Sequence, residues 1–274
     1  MRRLSFLPVF LLAFAMPLDA QKPVAKDSTA AKTPPAIEDN SFLIEEAFNQ
    51  EYGVVQHIST FQRTKDGSWG YSFTQEWPAP SIKHQLSYTV PVYRANRSTG
   101  IGDIALNYRY QALGADGAPL LFAPRLSLYL PTGDVTAGRG AGGPGLEVML
   151  PVSYQLNDAF ITHWNAGASL TRADNGLGVR GTARGLKVGA SVIWLVAPTF
   201  NLMLESIATR GEALDENGKR ESFTSYIVSP GMRAALNFAS GLQIVPGIAF
   251  PIGVGSSRGQ RDVFLYLSFE HSFR

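Results

Sequence analysis

The 274-residue sequence contains no cysteine. Disulfide scaffolds, thiolate metal centres and a cysteine nucleophile are excluded at once, and so is a lipid anchor carried on a mature N-terminal Cys. Charge is sparse: Asp, Glu, Lys and Arg make up 17% of the chain, where a soluble globular domain has about 25%. A net charge of +2 lacks the strong basic excess that nucleic-acid binding needs. Long apolar runs are missing as well. Beyond the first residues nothing approaches the roughly 20 apolar residues of a membrane helix, although hydrophobic residues make up 45% of the chain. Apolar residues are therefore abundant but diluted by polar ones at short range. That composition suits a transmembrane β-barrel, and equally a soluble β-sandwich.

Motifs of chemistry are also lacking. The histidines His57, His84, His163 and His271 stand in no metal-ligand spacing, and neither a GxSxG elbow nor a phosphate-binding loop is present. No catalytic, cofactor-binding or metal-binding residue is expected.

What is there begins with an export signal. Arg2 and Arg3 precede an apolar stretch from Leu4 to Met16, and Pro17-Leu18-Asp19-Ala20 offers a cleavage site after Ala20. Residues 1–20 read as a signal peptide. Residues 21–40 are rich in Ala, Lys, Pro and Thr, with too little apolar bulk to offset ordering; they read as a disordered periplasmic linker. Residues 41–53 are expected to form a short lead-in or plug, with a short helix possible over Phe42–Gln50.

From residue 54 the period is two, as in strands. Trp69, Tyr71, Phe73 and Trp77 oppose Gly70, Ser72, Thr74 and Glu76; Leu126, Leu128 and Leu130 oppose Arg125, Ser127 and Tyr129; Leu146, Val148, Leu150 and Val152 oppose Glu147, Met149 and Ser153. Similar stretches fall near 54–62, 83–92, 101–110, 159–170, 185–197, 200–209, 222–237, 241–252 and 261–273, which with those three gives about twelve strands, an even number as closed bacterial barrels require. Taken in order, the connections alternate long and short, with Gln111–Pro119, as long as some loops, the exception in the short set. Arg63–Ser68, Tyr93–Gly100, Pro131–Gly143, Thr171–Arg184, Arg210–Glu221 and Gly253–Gln260 form the long set, as external loops do. Both termini then lie on the periplasmic side. Trp69, Trp77, Tyr88, Tyr110, Tyr154, Trp164, Trp194, Phe200, Phe238 and Phe273 share the apolar face, several near strand ends, as interfacial girdles do. The reading is an all-β, antiparallel up-and-down barrel over residues 54–274, located in the cell outer membrane.

Alternation places Glu76, Lys83, Asp103, Arg109, Arg125, Glu147, Lys187, Glu205, Arg233 and Glu270 on the lumen side. Mixed signs suit either a structural ion-pair network or a polar constriction that selects solutes. The final stretch, Val263 to Phe273, is similar to the C-terminal signal by which the barrel-assembly machinery recognises its clients, with His271 and Arg274 as departures.

Gly100-Ile101-Gly102-Asp103 opens one strand and Leu130-Pro131-Thr132-Gly133-Asp134 closes the next. With the leader and the barrel pattern, these motifs resemble an outer-membrane family labelled "MetA-pathway of phenol degradation", over roughly residues 43–274. The resemblance implies passage of small aromatic or hydrophobic compounds and brings no catalytic residues. The expected partners are outer-membrane lipid, the assembly machinery and a small solute. Two other functions stand beside a passive channel: a closed structural or surface-interaction barrel, and an outer-membrane phospholipase. The last would need a nucleophilic serine beside outward-facing His84, and nearby Ser87 lies on the opposite face.

Overall fold

The computed structural model describes residue 37 and residues 41–272, except 96, 116, 240 and 241. The signal peptide, most of the linker, Phe273 and Arg274 lie outside the described residues. Among those described, no helix is long and apolar enough to cross a membrane; crossing falls to strands.

Strands β1 (Val54–Arg63), β2 (Trp69–Pro78) and β3 (His84–Ala95) are followed by β4 (Ser98–Ile101) and β5 (Ile104–Tyr110). Then come β6 (Leu120–Phe122), β7 (Arg125–Leu130), β8 (Gly145–Asn157), β9 (Phe160–Asp174) and β10 (Arg180–Ala197). The chain ends with β11 (Phe200–Leu214), β12 (Arg220–Ala234), β13 (Leu236–Asn237), β14 (Gln243–Ala249), β15 (Ile252–Val254) and β16 (Val263–Ser272). Four staves of the barrel are interrupted, one of them at Ala235 between β12 and β13, which both pair with β14. β4 and β5 both pair with β3, β6 and β7 with β8, and β14 and β15 with β12. Pro124 and Pro251 sit at two of these breaks, where a residue without an N–H cannot extend the ladder. Twelve staves result, each antiparallel to its neighbours. The barrel closes where β1 pairs with β16 from Val54↔Ser272 to Arg63↔Val263.

The alternation seen in sequence is the alternation of exposure. On β8, Leu146, Val148 and Leu150 are exposed while Glu147 and Met149 are buried. Exposed Leu, Val, Tyr and Trp side chains continue around the outer wall, which suits lipid rather than water. Aromatic contacts cluster at the terminal end of the barrel: Trp77 with Tyr88, His84 with Tyr110, and Phe160 with Trp194, at centroid distances of 6.1, 5.2 and 6.1 Å. The barrel therefore sits in the outer membrane.

The connections differ from expectation. Three segments read as long loops are mostly hairpin. β3 and β4 stay paired to Ala95↔Ser98, β9 and β10 to Asp174↔Arg180, and β11 and β12 to Leu214↔Arg220. Hydropathy marks only the lipid-facing part of a strand; above it polar residues complete the same ladder without leaving a periodic signature. The external connection from Pro131 to Pro144 does remain a loop.

Candidate functional site

The lumen is the candidate site, and the chain's own N-terminal segment fills it. A twelve-stave barrel is wider than the eight-strand barrels whose interiors side chains alone can fill, and narrower than open porins. Residues 41–50 take up that difference. The segment carries no helix. It enters beside the short turn at Pro198, whose carbonyl accepts the Ile37 amide at 2.7 Å. From Ser41, whose hydroxyl lies 2.6 Å from that of Ser191, the segment crosses the lumen and descends to Gln50 before β1 begins. Phe42, Ile44, Glu45, Glu46, Ala47 and Gln50 are all buried.

Inward residues of the wall hold it by its backbone. Glu205 Oε1 on β11 accepts three consecutive amides, from Phe42, Leu43 and Ile44, at 3.0, 2.6 and 3.0 Å. Successive N–H groups converging on one anion form a nest. Asn165 on β9 both accepts the Glu45 amide and donates to its carbonyl, at 2.7 and 2.8 Å. Ser153 Oγ on β8 accepts the Ala47 amide at 2.7 Å and lies 2.7 Å from His163 Nδ1. Gln85 on β3 accepts the Gln50 amide at 2.6 Å and donates to Glu76 at 2.7 Å. Arg109 on β5 donates to the Phe48 carbonyl.

One ion triad spans plug and wall. Arg125 Nη2 on β7 reaches Glu45 Oε1 at 2.5 Å and Glu147 Oε1 on β8 at 2.9 Å, with Arg125 only 2% exposed. Elsewhere the wall turns apolar. Phe42 packs on Tyr266 and Phe264 of β16, with centroids 5.1 and 5.7 Å apart, in a cluster with Ile58, Ile193, Met203 and Val245. Its ring fits because the facing wall residue is glycine: a Cβ on Gly247 would lie 2.3 Å from Phe42 Cζ.

Of the ten residues assigned to the lumen, Glu76, Arg109, Arg125, Glu147, Glu205 and Arg233 point inward and are buried. Lys187 is half-buried on β10 and shares a small cavity with Glu147, and Glu270 accepts Gln50 Nε2 and Gln56 Nε2 at 3.3 and 3.0 Å. Two placements are corrected. Lys83 is exposed in the turn before β3, where the His84 amide still bonds back to the Ser81 carbonyl at 2.9 Å, so strand alternation does not reach it. Asp103 lies in the break between β4 and β5, at the external rim. The uncharged members of the inward set, Ser153, Asn165, His163, Ser191 and Gln85, escaped a reading that followed charge alone; their strand parity was the available signal. Outward-facing His84 has a phenol as its partner, Tyr108 Oη at 2.6 Å, and not a serine.

The two glycine motifs prove to be one corner. Asp103 accepts the amides of Gly133 and Ala141 at 2.9 and 2.7 Å, and Thr132 Oγ1 donates to the Gly102 carbonyl at 2.7 Å. Neither Gly102 nor Gly133 has positive φ. Close approach is what requires them: a Cβ would lie 2.4 Å from Tyr93 Cε2 at Gly102, and 2.2 Å from the Arg139 carbonyl at Gly133. Within the loop, hydrogen bonds from the Thr136 hydroxyl and the Ala137 amide hold the Asp134 carboxyl below its ordinary range. Asp103→Ala should leave two amides unpaired, costing about 1–3 kcal/mol. Amide exchange at Gly133 and Ala141 should speed up while the strands keep their protection; unchanged exchange would show that Asp103 does not hold the loop.

A closed twelve-stave antiparallel barrel with an apolar outer belt and a polar, occupied lumen defines an outer-membrane β-barrel. No family model and no curated protein sequence matches the chain. Solved structures do match it. An outer membrane channel from Pseudomonas putida F1 superposes with a TM-score of 0.57 at 13% identity, over 83% of this chain and 98% of that one. The NanC porin gives 0.53 at 8% identity, over 80% and 99%. The KdgM porin gives 0.50 at 9%, again over 80% and 99%. At such identities the likeness concerns the fold.

Proposed function

We propose that the protein is a passive channel for small solutes, hydrophobic or aromatic compounds among them, whose lumen is closed in this state by its own residues 41–50. The observation that carries the reading is the kind of contact between plug and wall. The plug is held by side chain to backbone bonds and one ion triad, around an aromatic seat that takes the Phe42 ring. A structural core would have no need of a separable chain segment there. The seat formed by Phe264, Tyr266, Ile193 and Met203 has the size and chemistry for a small aromatic ring, in line with the family resemblance. Porins among the similar folds support the channel reading by analogy only. No catalytic step is assigned.

The test is planar-bilayer conductance of refolded protein from Gln21 onward, beside a version with residues 41–50 replaced by Gly and Ser at equal length. Low, intermittent conductance in the first and a severalfold larger, steady conductance in the second is the expected result, with phenol-sized solutes blocking the second. A replaced version that folds, inserts and stays silent would instead make the protein a closed structural or surface barrel.

A further inference from the structure

The outer wall carries a charge asymmetry that transport does not use. Outward-facing arginines gather at the end of the barrel away from the termini: Arg63 on β1, Arg94 on β3, Arg172 on β9, Arg184 on β10 and Arg210 on β11, all exposed. At the terminal end, the outward positions of the described strands hold His57, His84, His271, tyrosines and tryptophans, with no Lys or Arg.

The level of these arginines follows from strand geometry. On β10 the outward positions Trp194, Val192, Ala190, Val188 and Leu186 run unbroken to Arg184. Ten residues at about 3.3 Å each, tilted by about 40°, climb about 25 Å, the height of the apolar belt of such barrels. Arg184 therefore stands where the hydrocarbon ends and headgroups begin. Its neighbours stand with it. Arg172 is opposite Thr182 and Arg210 is opposite Leu186, so each is diagonal to Arg184, about 7–8 Å away and within reach of long side chains.

Two acids adjoin the group. Asp174 takes Arg180 at 3.5 Å, and Glu212 Oε2 accepts the backbone amide of Arg184 at 3.1 Å. Among the described residues, the guanidinium groups of Arg172, Arg184 and Arg210 make no ion pair. Beside Arg172 and Arg180, a cleft of about 340 Å³ opens against Gly142, Gly143 and Pro144 of the external loop.

We propose that this collar, centred on Arg172, Arg184 and Arg210, binds the phosphate groups of the glycolipid that forms the external leaflet of the outer membrane. Guanidinium forks match phosphate oxygens in pairs, and the apolar side chains Leu170, Leu186 and Val188 directly beneath receive the acyl chains of the same molecule. The inference rests on the membrane placement of the barrel and not on its acting as a channel.

The test uses the full mature chain refolded in detergent, with rough lipopolysaccharide as the probe and binding read by native mass spectrometry. Three parallel arms use the same glycolipid after enzymatic removal of its phosphates, inorganic phosphate as competitor, and a loop variant lacking Lys65 and Lys219. The variant R172Q/R184Q/R210Q should bind on the order of a hundredfold more weakly, as loss of three basic groups at a charged leaflet implies. R172K/R184K/R210K, which keeps the charges without the paired donors, should lose less than the glutamine variant but still bind more weakly than the parent, and heat-modifiable migration reports that each variant is folded. Equal binding of the dephosphorylated glycolipid would overturn the proposal. So would unaltered binding by the folded glutamine variant, a loss as large in the loop variant, or full displacement by inorganic phosphate, which would make the collar a site for soluble anions.

Discussion

Glu205→Ala opens the lumen: single-channel conductance of the refolded protein rises severalfold while the barrel keeps its heat-modifiable migration. The carboxylate is fully buried and its Oε1 alone ends three amide N–H groups. Hydrogen bonds to a charged acceptor contribute about 1.5–3 kcal/mol each, and three sharing one oxygen contribute less than their sum. A loss of about 3 kcal/mol, roughly a hundredfold in the seating equilibrium, is the expected scale. That loss matters because the plug is poised: fixing about ten residues costs on the order of 1–2 kcal/mol each in backbone entropy. Glu205→Gln, which keeps an acceptor but not its charge, should show a smaller rise. Gly247→Leu should produce the same opening from the apolar side, since its Cβ would enter the Phe42 ring. Should Glu205→Ala conduct like the parent protein, the nest is not what anchors the segment.

Arg125→Ala has the largest expected effect on stability. Arg125 bridges Glu45 and Glu147 and also donates to Asn107 Oδ1 at 3.2 Å. Removing one partner of a buried ion group leaves uncompensated charge and typically costs 3–5 kcal/mol. A fall of about 3 kcal/mol in urea unfolding from lipid vesicles at neutral pH is expected, somewhat below the full figure because water can enter a vacated lumen. Adding Glu45→Gln and Glu147→Gln should recover most of the loss, since the stranded carboxylates are its cause. If the triple variant is no more stable than Arg125→Ala, packing of the arginine stem and not charge explains the loss. In the version with residues 41–50 replaced, Arg125→Ala should also shift ion selectivity toward cations; unchanged selectivity would place the conducting path elsewhere than along this wall.

How far the site could be read in advance shows in individual residues. Glu205 is an inward residue of β11 by parity alone, yet its role as acceptor for Phe42, Leu43 and Ile44 depends on a segment 160 or so positions away in the chain. Lys83 fails for the opposite reason: alternation was extended one residue past the strand into a turn. The GIGD and LPTGD motifs could be marked as strand ends, but their union through Asp103 and Thr132 needs two loops to meet at the rim.

Strand alternation, the number of staves, the two faces of each strand and the membrane-facing belt are determined by the sequence itself, because a side-chain period of two is local and each residue declares its face through its polarity. Only the tertiary structure decided that the lumen is occupied, which charges meet in it, and that the arginines of β9, β10 and β11 form one group. Those outcomes depend on the register between neighbouring strands, on closure of β1 against β16, and on the path of residues 41–50. That segment has no periodicity to announce its course, and its bonds go to seven or more residues spread around the wall. Contact inside a closed barrel is set by geometry across the whole circumference, which no local pattern carries.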